Sequence, residues 1–88
     1  MDVKPVKPAD VLPDGQDGTE MYGEYVRKGS VAAFVGNVRA LAATEPSTPQ
    51  REAIVAELRE LKPALERIGV LEVFELRDPE VRALVQAL

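Results

Sequence analysis

The chain has no cysteine, no histidine and no tryptophan. Without cysteine there are no disulfide staples and no thiolate chemistry. Without histidine there is no Ser-His-Asp or Cys-His relay, and loss of both types removes the zinc-finger ligand sets and haem ligation by imidazole. Aromatic residues amount to two Tyr and two Phe. No apolar run approaches the roughly 18 residues of a membrane span. The opening Met1-Asp2-Val3-Lys4-Pro5 lacks the apolar stretch of a secretion signal. Positive charge is also short: 11 Lys and Arg stand against 15 Asp and Glu, a net charge of −4. Phosphate contacts need concentrated Lys and Arg, so this balance argues against nucleic acid as a partner. These absences lead us to expect a non-enzymatic cytoplasmic domain with no cofactor, no metal and no membrane association; zero cysteine suits a reducing compartment.

What is present fits one small domain. The chain has 88 residues, 45% hydrophobic and 30% charged, an ordinary globular balance. A chain of this size buries only about 60–65% of its unfolded surface, so its core is modest and dimerisation would help it. Residues 1–18 differ in composition from the rest. They hold three of the seven prolines and four of the five Asp, residues that remove amide donors and favour turns. We expect a flexible Pro/Asp-rich arm over 1–18, with Val11 and Leu12 docking before the Asp14-Gly15 turn, and a compact domain over 19–88.

Within that domain the periodicity changes along the chain. Glu20 to Lys28 reads either as a strand or as a helix capped by Thr19 and Gly29. Tyr and Val favour the strand and Gly23 disfavours a helix interior. Ser30 is a candidate N-cap. Val31, Phe34, Val38, Leu41 and Ala42 then recur at helical spacing over 31–43, opposite a small-residue face of Ala32, Gly36, Ala40 and Ala43. The Thr44-Glu45-Pro46 sequence ends this helix. A second helix is predicted over 49–68, with Pro49 in its first turn, an apolar stripe of Ile54, Leu58, Leu61, Leu65 and Ile68, and Gly69 as a left-handed cap. Pro63 lies inside it and is expected to bend it, because the stripe stays in phase beyond that residue. Val70 to Leu76 is short, rich in valine and follows the Gly69 break, so it reads as a strand. Asp78-Pro79 opens a last helix over 79–87. The predicted fold is α+β, mainly helical: three helices packed on a small two-stranded sheet made of 20–27 and 70–76. Its expected core is Tyr25, Val31, Phe34, Val38, Leu41, Ile54, Leu58, Leu61, Leu65, Ile68, Leu71, Phe74, Leu76, Val81, Leu84 and Val85.

Few residues are arranged for chemistry. Asp10, Asp14 and Asp17 suggest a calcium loop, but that register puts Leu12 and Met21 where oxygen ligands belong. Glu57 and Glu60 fall on a solvated helix face rather than in an acid–base pair. Tyr22 and Tyr25 beside Arg27 and Lys28 are too few for a single-stranded nucleic-acid platform. No helix carries the Arg/Lys/Asn/Gln-rich face of a base reader. Two features are left. Arg27, Lys28, Gly29 and Ser30 precede a helix N-terminus, where free amides and the dipole favour a small anion or a nucleotide phosphate. The spacing is not that of a P-loop. Ala32, Gly36, Ala40 and Ala43, with Asn37 (the one Asn) beside them, form a candidate interface for a protein partner or a homodimer. Self-association is the leading expectation and anion-dependent regulation the alternative.

Overall fold

Tyr22 and Gly23 reverse the chain between two short runs of extended backbone. In the computed structural model, which describes residues 6–13, 15–45 and 48–88, Gly18–Met21 (β1) and Glu24–Arg27 (β2) form an antiparallel hairpin. Gly18 lies opposite Arg27 and Met21 opposite Glu24. Tyr22 and Gly23 have φ of 52° and 84°, the paired left-handed geometry whose twist matches the flanking strands. Thr19, Met21, Glu24 and Val26 are half-buried, while Glu20, Tyr25 and Arg27 are exposed. Gly18 lies under the Tyr25 ring. A Cβ there would stand 2.6 Å from the Val26 carbonyl oxygen, so this crossing requires glycine. Ahead of the hairpin, Pro8–Val11 (α1) makes a single turn whose Asp10 carboxylate accepts the Lys7 amide at 3.0 Å.

Three helices supply the core. Ser30–Ala42 (α2) starts after Gly29, which is left-handed at φ 84°. Pro49–Ile68 (α3) is capped by Thr48, whose hydroxyl accepts the Arg51 amide at 3.2 Å. It runs unbroken through Pro63 and ends at left-handed Gly69. Val70–Val73 (α4) is one further turn. Pro79–Gln86 (α5) is capped by Asp78, which accepts from the Glu80 and Val81 amides at 2.8 and 3.1 Å. The α2 and α3 helices form the principal packing contact of the molecule, and the Arg51 guanidinium donates to the Leu41 carbonyl at 3.2 Å where one hands over to the other. Each helix gives two buried hydrophobic side chains: Phe34 and Leu41, Leu58 and Leu65, Val81 and Val85. Half-buried Val38, Ile54, Val55, Leu61, Ile68, Leu71, Leu76 and Leu84 surround them.

The fold is thus α+β and mainly helical, but its sheet is not the one predicted. The strand expected over 20–27 is a complete hairpin spanning 18–27. The strand expected over 70–76 is α4 followed by unpaired backbone. Residues 70–76 pair with neither strand, and their amides bond locally instead: Val73 to the Gly69 carbonyl at 3.1 Å and Phe74 to that of Val70 at 2.9 Å. Three expected core residues are exposed, Tyr25 by 54%, Val31 by 43% and Phe74 by 69%.

Candidate docking surface

The sequence of α2 is nearly all apolar, with Arg39 its one charged residue. A helix of this kind is expected to be covered on every side. Here only Phe34 and Leu41, with Ser30, are buried; Val31, Ala32, Ala33, Val35, Gly36 and Ala42 face solvent. The contrast with α3 is direct, because its exposed positions carry Glu52, Glu57, Arg59, Glu60, Glu66 and Arg67.

The exposed side of α2 continues into a groove of about 370 Å³. Val31, Val35 and Arg39 form one wall, and Phe74, Glu75 and Leu76 contribute to the other, over a floor that includes Phe34 and Val38. The second wall is positioned by Gly69, which turns the chain sharply at φ 85°, and by α5. Arg82 donates through Nε to the Leu76 carbonyl at 3.0 Å and pairs through Nη1 with Glu75 Oε1 at 3.0 Å. Phe74 itself is extended at φ −115°, ψ 147°, and its ring stands exposed at the rim.

The small-residue candidates lie beside this groove. Ala32, Gly36 and Ala43 are exposed, and Ala40 and Asn37 are half-buried. A Cβ at Gly36 would meet nothing within 4 Å, so the fold of the chain does not require glycine there. Asn37 donates to the Ala33 carbonyl at 2.9 Å, which meets one of its needs within its own helix.

The basic candidates are placed differently. Arg27, Lys28 and Gly29 are exposed and Ser30 is buried. The Ser30 hydroxyl donates to the Arg27 carbonyl at 2.6 Å, and the Lys28 amide donates to the Asp17 carbonyl at 2.7 Å, closing the base of the hairpin. Of these groups, the Ser30 hydroxyl joins α2 to the end of the hairpin. A second, more polar cleft of about 430 Å³ lies between α3, α4 and α5. Its cations serve the fold: Arg82 as above, and Lys62 through donation to the Gln86 and Leu88 carbonyls at 3.4 and 3.1 Å, at the end of α5. Glu57, Glu60, Tyr22 and Tyr25 are exposed and, nearer the start of the chain, so are Asp10 and Asp17; Asp14 lies outside the described residues. Among the described residues no helix is long and apolar enough to cross a membrane.

No family model matches the chain, and neither does any curated protein or solved structure.

Strand propensity places Phe74 in a buried strand, which hides the groove from a reading of the sequence. Two signals point to it nonetheless. The 70–76 run alternates poorly, with Glu72 and Glu75 on opposite strand faces. The single charge of α2 also leaves more apolar helix surface than a small three-helix core can cover.

Proposed function

We propose that the chain is a small non-enzymatic interaction domain that associates with another copy of itself. The observation behind this is the apolar face of α2, left uncovered from Val31 to Ala42 and continuous with the Phe74 groove. Exposed apolar patches of this kind on small domains mark interaction sites. The small side chains of Ala32, Gly36 and Ala43 would let a second helix approach closely. A cytoplasmic setting accompanies the proposal, since a chain free of cysteine gains nothing from an oxidising compartment. The anion reading of Arg27–Ser30 has no comparable support, because the Ser30 hydroxyl is already engaged.

Light scattering after size exclusion, over a hundredfold range of concentration, tests the proposal. The mass should rise toward twice 9.6 kDa. Val35→Glu places a charge on the exposed face and should hold the mass at the monomer value while helical circular dichroism is retained. A wild-type chain that stays monomeric and folded throughout would overturn the proposal.

A further inference from the structure

The groove carries enough detail to say how a second copy would sit in it. We infer that the association is two-fold, groove to groove: Phe74 of each protomer enters between α2 and the 74–76 segment of the other, and Arg39 of each pairs with Glu75 of the other. This rests on the self-association proposed above.

Three observations carry it. First, a contact about a two-fold axis joins a patch to itself, so the patch must hold both a projection and its receptacle. Phe74, 69% exposed, is the projection, and the groove bounded by Val31 and Val35 is the receptacle. Second, the two walls carry opposite charges, Arg39 on the helix and Glu75 on the segment across from it. A two-fold axis along the groove exchanges the walls and brings each charge against its opposite. Among the described residues Arg39 makes no ion pair; Glu75 is 74% exposed and engages Arg82 through Oε1. Third, there is surface to bury. Val31, Val35 and Phe74 on this face are 43%, 48% and 69% exposed, and their apolar surface leaves water when the two grooves meet.

The test exchanges charges. Arg39→Glu alone would set the introduced carboxylate against Glu75 at both ends of the homodimer. Glu75→Arg alone would likewise set the introduced guanidinium against Arg39 at both ends. Each variant should dimerise at least about tenfold more weakly than wild type in sedimentation. An equimolar mixture of the two should form a heterodimer at least about tenfold tighter than either variant's homodimer. One of its two cross-contacts then joins both introduced charges and the other joins native Arg39 to native Glu75, so both are attractive again. Glu75→Arg also removes the pair with Arg82, but that loss lies within one protomer and persists in the mixture, so recovery on mixing reports the contact between protomers. Phe74→Ala is a second probe that leaves the buried core intact; it should weaken the dimer at least about tenfold with its helical circular dichroism unchanged. A wild-type dimer indifferent to Phe74→Ala, or one whose charge variants do not recover on mixing, overturns this arrangement and leaves self-association standing. A monomeric wild type overturns both, and leaves the groove to a different protein.

Discussion

At the scale of single residues, the sharpest mismatch between sequence and backbone is Tyr22. Two-residue hairpin loops with both φ values positive favour Asn-Gly or Asp-Gly, since Asn and Asp tolerate the left-handed region and Gly is free in it. Tyr22 occupies the first position at φ 52°, where an ordinary side chain costs about 1–2 kcal/mol. Its ring is 74% exposed and so recovers little of this by burial. Tyr22→Asn is expected to stabilise the chain by about 0.5–1 kcal/mol, read from the urea midpoint. A loss of stability instead would mean that the ring makes contacts worth more than the strain. The same residue explains why the hairpin is hard to read from sequence. Gly23 is legible as a break, but nothing about a tyrosine before it signals a turn, and the β-prone residues on either side merge into one strand. Gly69 is easier to read, because it follows a clear helical stripe and is left-handed as the C-cap of α3; the N-cap expected at Ser30 is instead Gly29, with Ser30 the first residue of α2.

Among whole elements, legibility follows amphipathic strength. The helices predicted at 31–43, 49–68 and 79–87 lie within one residue of α2, α3 and α5 at each end, and the six buried hydrophobic side chains all belong to the expected core. The failure at 70–76 has a tertiary cause. Its valines carry strand propensity, but propensity needs a partner strand, and this segment pairs with none, its first turn closing on the Gly69 and Val70 carbonyls instead. The α3 helix poses the opposite question, of a pattern strong enough to override a breaker. Pro63 is exposed, and the helix continues past it to Ile68. The ring removes one amide donor and crowds the Arg59 carbonyl; a helix-interior proline costs about 3 kcal/mol relative to alanine. Leu65 and Ile68, packed beyond it, hold the last turns in place. Pro63→Ala is accordingly expected to stabilise the protein by about 1–3 kcal/mol, the gain being reduced by the freer unfolded chain. Thermal and urea unfolding would both show it. A destabilised variant would mean that the packing of α3 depends on a bend set by the proline.

For the molecule as a whole, the decisive quantity is how little it encloses. The chain extends over 49 × 28 × 21 Å with a radius of gyration of 14.8 Å, where a compact chain of this length has about 12 Å. An elongated shape keeps helix surface in contact with solvent, and the composition of α2 makes much of that surface apolar. The six buried hydrophobic side chains among the described residues give about 1.5–3 kcal/mol each before the ordering of the backbone is counted, so the margin of the isolated chain is thin. Association through the α2 face would add apolar burial without adding a residue. It would also link folding to mass action, because a dimer that dissociates on unfolding gains stability as the concentration rises. A tenfold increase in chain concentration corresponds to about 1.4 kcal/mol per dimer, or roughly 2–5 °C in Tm for a domain of this size. The midpoint of thermal unfolding should therefore climb by that amount per decade of concentration in the wild type. In Phe74→Ser, which removes the exposed ring and leaves Leu58, Leu65 and Val85 untouched, the midpoint should lie lower at each concentration by at least about the shift of one decade. A wild-type midpoint that does not move with concentration would show that the small core is sufficient by itself, and the uncovered face of α2 would then contribute nothing to stability.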